Sequence, residues 1–396
     1  MRIGTSNTYD TALEQLTRRQ SELASQQEKL GSGLRVNRPS DDPAGAAQAE
    51  RARVRLGRIE ADQRALETQR AALATAESTL GEATSLVQGV RELVITAGNA
   101  GYSAKDRTSL ASKMASLRDQ LFAVANRTDA NGVPLFGGLG SSGAPFVDVP
   151  AGVQYQASGG QRSATTTTLP GAMDGQAIWM NVPSGNGTFE VGLVATNSGT
   201  AWTNAGAVVT PAAVTGNNYS ITFSVVGGLT SYTIVNTTTA STVASAQPYV
   251  QGAAIQFDGL SIEVHGAPAN GDAVSVAPSS QTNLFKVLDD AVAGIDNAPG
   301  NNLLTQAVTL ALKQLDSGLD RLHAARSQAG DWLNRADTIT GEQQSRTLTL
   351  ESERARAQDL DFAKGISDFN KFQTGYQAAL QSYAQIQRLS LFNYIN

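Results

Sequence analysis

Cysteine is absent from this 396-residue chain, which excludes disulfides, thiolate metal sites and thiol nucleophiles. Histidine is nearly so. His265 falls in a strand-like segment and His323 in a helical one, neither beside carboxylates of metal-ligand spacing, so each reads as a structural or surface residue. No apolar run approaches the roughly 18 residues that a membrane helix needs. The opening MRIGTSNTYDTAL also lacks the continuous apolar stretch of a secretory signal. The sequence therefore predicts no membrane insertion, no metal, no cofactor and no catalytic residue; an exported chain of this kind needs a route without a cleaved signal peptide.

Proline is missing from two long stretches, between Pro43 and Pro134 and after Pro299, and eight of the twelve prolines lie between Pro145 and Pro278. Because proline removes an amide donor and clashes inside a helix, the distribution predicts two helical arms around one non-helical insert. Positive charge is missing from that insert. Residues 145–280 hold one basic side chain, Arg162, against six acidic ones, which accounts for the whole net charge of −5, and the arms balance with 29 charges of each sign. Without a basic excess on either arm, nucleic acid is excluded as a partner.

What the arms do contain is helical periodicity. Ile59, Leu66, Leu73, Leu80, Val87 and Val94 keep an unbroken heptad step, with Ala76, Ala83, Val90 and Ala97 three positions on, the large-beside-small pattern of a close helical seam. Gly98 to Ser103 breaks the run, and Leu110, Met114, Leu117, Leu121 and Val124 begin a returning helix. Val308, Leu312, Leu315, Leu319 and Leu322 supply a further seam from the C-terminal arm, and the charged stretch Thr340 to Arg356 reads as a solvated helix face. The two ends are thinner. Tyr9, Leu16, Leu23 and Leu30, with Leu13, make a single stripe interrupted by Gln20 and Gln27, too little to hold a lone helix in water. Near the other end Phe369, Phe372, Tyr376, Tyr383 and Ile386 form an aromatic stripe that continues to Leu389 and Phe392. These two stripes are predicted to pair with each other and to leave apolar surface for neighbouring subunits.

Over residues 150–280 the period changes to alternation. Tyr219, Ile221, Phe223 and Val225 face one way, and Tyr232/Ile234, Ile255/Phe257, Ile262/Val264 and Val274/Val276 repeat the pattern between turn signals such as Gly227-Gly228 and Asn270-Gly271-Asp272. A short hairpin is predicted at Asp129 to Gly132. Gly138, Gly140 and Gly143 satisfy a G-x-G-x-x-G spacing but run into Ala144-Pro145 rather than a helix, so they read as a linker and not as a phosphate cradle. Asp41-Asp42-Pro43 reads as a helix start, with a carboxylate cap and an early proline. The fold class is α+β and multidomain: a long antiparallel helical bundle or coiled coil from both termini, with an inserted, mainly antiparallel β domain. The divisions fall at 1–45 with 362–396 for the terminal helices, 46–144 with 281–361 for the bundle, and 145–280 for the insert.

Leu30-Gly-Ser-Gly-Leu-Arg-Val36 followed by Asn37-Arg-Pro-Ser-Asp-Asp-Pro-Ala-Gly45 resembles the N-terminal signature of bacterial flagellins and hook-associated proteins, and its Ser-Asp-Asp-Pro form is closer to the hook-associated members. Leu117 to Leu121, Asn131-Gly132, Gly266 to Asp272 and the tail Leu389 to Tyr394 agree. The resemblance implies a structural subunit of the flagellum, exported by the flagellar type III apparatus, that forms a ring at the junction between hook and filament. Its implied partners are further copies of itself, the first junction protein, flagellin and/or the filament cap protein, and a dedicated export chaperone that holds the C-terminal segment. The residues expected to bind subunits or chaperone are Leu13, Leu16, Leu23, Leu30, Phe369, Phe372, Tyr376, Tyr383, Ile386, Leu389 and Phe392, with the terminal helices disordered in the monomer. Two alternatives stand beside this reading: a filament flagellin, and a carbohydrate-binding adhesive module on a helical stalk, for which Trp179, Trp202, Tyr155, Tyr219, Tyr232 and Tyr249 would be the stacking aromatics.

Overall fold

A computed structural model describes residues 5–394 apart from 100, 142 and 299, and side chains within 10–385. Six helices, α1 (Thr5–Ser32), α2 (Pro43–Ala97), α3 (Ala104–Ala125), α4 (Leu284–Asp296), α5 (Asn301–Gln358) and α6 (Phe362–Tyr394), flank the β insert. The chain packs as two compact units, one from its two ends up to Arg64 and from Thr338, the other spanning Ala65–Asp337.

In the Ala65–Asp337 unit the heptad series of α2 is the seam: Leu66, Leu73, Leu80, Val87 and Val94 are buried, as are Ala76, Ala83, Val90 and Ala97. Ion pairs fix the direction of its partner. Arg70 pairs with Asp337 at 3.1 Å, Glu77 with Arg326 at 2.6 Å and Arg91 with Asp316 at 2.8 Å, so α5 runs antiparallel to α2. Exposed pairs of this kind add little stability and mainly report register. After the break, α3 opens with a reciprocal cap: Ser103 Oγ accepts from the Asp106 amide, and the Asp106 carboxylate accepts from the Ser103 amide.

One residue of α3 departs from the expected pattern. Arg118, next to Leu117, is buried, and its guanidinium donates to Asp148 and, at 2.9 Å, to Asp289 on α4, 5.9 Å from the centre of the Phe285 ring. It joins α3, α4 and the start of the insert. Alongside it lies an aromatic core in which Trp179 stacks on Phe285 at 5.9 Å and meets Phe136 and Phe146 edge-on at 5.4 and 6.2 Å. Trp179 is carried by a single π-helical turn, Gln176–Met180, and is fully buried, which removes it from any sugar-stacking surface. The aromatic core is fed by β1 (Phe146–Val149) and β2 (Gly152–Tyr155), an antiparallel hairpin.

The remaining strands are β3 (Val182–Pro183), β4 (Phe189–Leu193), β5 (Trp202–Thr203), β6 (Ala207–Val208), β7 (Tyr219–Val226), β8 (Leu229–Asn236), β9 (Ser241–Pro248), β10 (Ala254–Phe257), β11 (Leu260–His265), β12 (Ala273–Pro278) and β13 (Gln281–Thr282). A five-stranded antiparallel sheet runs β4-β12-β7-β8-β9, and a smaller one pairs β10 with β11 and β11 with β5 and β6. Their inner faces share one core that includes Phe189, Tyr219, Ile221, Phe223, Ile234, Phe257, Ile262 and Val276. The β7–β8 turn is Gly227-Gly228 with φ of 59° and 78°, the two left-handed residues that a type I′ hairpin requires. Four of the insert's six carboxylates accept hydrogen bonds within the fold: Asp148 from Arg118, Asp174 from the Gln176 amide, Asp258 from the Tyr219 hydroxyl and Asp272 from three amides.

The glycine-rich segment is not a linker. Gly138 sits at φ 60° with its amide on the Met173 carbonyl, Leu139 donates to Ser158, and a Cβ at Gly138 would overlap the Ser158 carbonyl oxygen. Glycine is used there for close backbone approach rather than for flexibility. The hairpin at Asp129 to Gly132 is present: the Asp129 amide donates to Val133, its carboxylate accepts from Asn131 and Val133, and Gly132 has φ 79°.

Candidate assembly surface

The surface is assembled from the two ends of the chain, beginning at the segment that links α1 to α2. Gly33 ends α1 at φ 73° and its carbonyl accepts from the Leu360 amide at 2.9 Å. Arg35 and Val36 donate their amides to the Gln358 carbonyl, and the Arg35 guanidinium reaches the Ala357 carbonyl at 2.7 Å and Asp42 at 3.1 Å. The turn into α6 is thereby tied to the turn out of α1. Asp41 closes the connection by accepting from the Asn37 and Arg38 amides, and Asp42 caps α2 by accepting from the Gly45 amide at 3.0 Å. Gly45 lies so close to the Ala357 carbonyl that a Cβ would come within 3.0 Å of it. The motif Leu30–Gly45 thus does its work through backbone amides, arginine and small residues.

Both carboxyls titrate below their ordinary value of 3.8, Asp41 chiefly because of the Arg38 amide and Asp42 chiefly because of the Gly45 amide and then the Arg35 side chain. A lowered folded-state pKa stabilises the fold above the unfolded value and that contribution is lost as pH falls through the folded value. The protection of the Arg38 and Gly45 amides against hydrogen exchange, relative to their intrinsic rates, is accordingly expected to fall only below about pH 4. Protection already lost at pH 5 to 6 would contradict the assignment of these two carboxylates as caps.

Beyond this connection α1 and α6 pair antiparallel, Gln26 opposite Gly365 and Arg19 opposite Gly375. The pairing expected from the two thin stripes is present. Gln26 is buried and donates to the Gly365 carbonyl at 2.9 Å, a polar pin that sets register. Leu16, Leu23, Leu30, Phe369, Phe372, Tyr376 and Tyr383 are half-buried, and Leu13 is 54% exposed. Ile386, Leu389 and Phe392 lie outside the described side chains. Among the described residues of these two helices no aliphatic or aromatic side chain is buried, and Phe362 and Ile366 remain 54% and 52% exposed. Two helices whose described large apolar groups are none of them fully buried are short of the packing from which helical stability in proteins mostly comes.

Neither histidine belongs to a reactive constellation. His265 stacks on Trp202 at 4.5 Å and His323 is exposed. Among the described residues no group of three or more acidic or histidine side chains could hold a metal, and no helix is long and apolar enough to cross a membrane.

The bacterial flagellin N-terminal helical region matches residues 3–141 and the bacterial flagellin C-terminal helical region matches residues 312–395. The crystal structure of the flagellar junction protein FlgL from Legionella pneumophila is 30% identical, with 99% of that chain and 74% of this one covered at a TM-score of 0.69. This chain belongs to the flagellin superfamily. Within the superfamily its likeness runs to the hook-associated members. The flagellar hook-associated protein 3 of Salmonella typhimurium is 26% identical over 99% of both chains. The structure of flagellar hook associated protein-3 from Legionella pneumophila is 28% identical, covering 77% of this chain and 98% of its own at a TM-score of 0.72. The two matched regions leave residues 142–311 uncovered, which is the insert together with α4 and the start of α5.

Proposed function

We propose that this chain is the structural subunit of the junction between flagellar hook and filament. The likeness along the whole length of hook-associated protein 3 carries the reading. The α1–α6 pair, with its half-buried apolar stripe, supports a subunit that completes its terminal helices against others. On this reading residues 1–45 with 362–396 form the inner coiled-coil domain, 46–144 with 281–361 the helical bundle domain, and 145–280 the inserted β domain. The subunits close into a ring on the first junction protein and present a seat for flagellin and/or the filament cap protein. The chain is not an enzyme. It leaves the cell through the flagellar type III apparatus, and an export chaperone holds the stripe from Phe369 to Phe392 beforehand. Leu13, Leu16, Leu23 and Leu30 meet subunits only after assembly.

Deleting the gene and imaging the cells by electron microscopy, with flagellin assayed in the medium, tests the reading. Hooks without filaments and unpolymerised flagellin in the medium are the expected result. Normal filaments would refute it. Hooks without filaments and without secreted flagellin would make the chain the filament subunit instead.

A further inference from the structure

In the unit built from the two chain ends, two large apolar side chains stand in solvent away from the terminal helices. Val54 on α2 is 64% exposed and Leu348 on α5 is 68% exposed. Each lies on the flank opposite its helix's buried seam, which is Ala49, Ala52 and Leu56 on α2 and Gln343, Leu350 and Ala357 on α5. The seams belong to helices in contact, as the approach of Gly45 to the Ala357 carbonyl shows. The two apices therefore point away from each other.

Their surroundings match in shape. At helical spacing around Val54 stand Ala47, Gly57 and Ala61, and around Leu348 stand Gly341, Ser345 and Ser352. A single knob among small residues is what lets two helices approach closely. Their charges are opposite: Arg51 and Arg58 flank Val54, Glu351 flanks Leu348, and among the described residues none of the three has an ion-pair or hydrogen-bond partner. An isolated unit gains nothing from unpaired charges set beside exposed apolar apices of opposite character on opposite flanks. A head-to-tail contact between identical subunits, which closes into a ring, needs one patch on each flank that complements the other.

We propose that the Val54 face of α2 in one copy docks on the Leu348 face of α5 in the next, with Arg51 and Arg58 flanking Glu351. The occupant is a second copy of this chain, and the inference rests on the ring reading above.

The absence of cysteine makes a clean test possible. Flagella are sheared from cells whose only copy of the full-length chain carries Val54→Cys and Leu348→Cys, treated with a short bis-maleimide and resolved on a denaturing gel. Within one chain the two sites lie on opposite flanks of a helix pair, roughly 20 Å apart, beyond the reach of a shorter linker. The expected product is a ladder of oligomers from the double variant and only monomer from either single variant. Arg58→Glu is expected to lower the ladder about fivefold, and adding Glu351→Arg to restore it. Monomer alone from a double variant that is present in the flagella would overturn the proposal and leave the junction reading intact. Dimers from a single variant would replace it with a two-fold contact. Absence of the unsubstituted chain from flagella prepared in parallel would overturn both.

Discussion

Replacing Trp179 with alanine is expected to lower the stability of the Ala65–Asp337 unit by about 3–5 kcal/mol. The indole is fully buried, stacked on Phe285 and edge-on to Phe136 and Phe146, so truncation removes a large transfer term and opens a cavity with aromatic walls. Those walls come from a loop after α3, from β1 and from α4, which cannot all close on the void. Trp179→Phe, which keeps a ring and gives up an indole N–H that has no partner in the fold, is expected to cost less than half as much. Urea unfolding followed by circular dichroism measures both. A loss under about 1 kcal/mol for the alanine variant would mean that the aromatic cluster is peripheral to folding.

Phe372→Ala with Tyr376→Ala is expected to leave that same unit as stable as before and to weaken incorporation into the flagellum. Both side chains are incompletely covered on α6, where every described aliphatic or aromatic side chain keeps some exposure, so the last part of their burial is left for another molecule. Covering what the two leave exposed is worth at most about 2 kcal/mol at each interface, a term repeated at every subunit of an assembly. Motility on soft agar and recovery of the subunit from sheared flagella are the readouts, with capture of the proposed export chaperone as the earlier step. Wild-type swimming and wild-type chaperone capture together would remove α6 from the assembly surface.

How much of this was legible in the sequence follows from where the burial signal is local. The heptads of α2 and the alternation in β7, β8, β11 and β12 are one-sided faces, and one-sided faces write themselves into the sequence period. Strand β9 left no such trace because both of its faces are largely exposed: Ser241–Pro248 holds serine, threonine and alanine where alternation would need large apolar groups. Helix α4 did carry a signal, Leu284, Val287, Leu288, Ala291 and Ile295 behind an Asn283 cap, but a helix this short between a strand and a much longer helix is easily absorbed into its neighbours. Arg118 was illegible for a different reason. A lone arginine in a helix reads as surface, and its carboxylate partners, 30 and 171 residues away, come together only in the fold. The terminal stripes, by contrast, were readable as deficient, and their deficiency is what the α1–α6 pair displays.

The longest charge-free run of the insert has an environmental consequence. From Tyr219 to Phe257 the sequence holds no charged residue at all, so the exposed part of this stretch stays in solution through hydroxyl, amide and backbone groups alone. Screening by dissolved ions has almost nothing there to act on. A bacterium moving between fresh and brackish water would carry on this part of its appendage a coat whose hydration and self-association scarcely register the change.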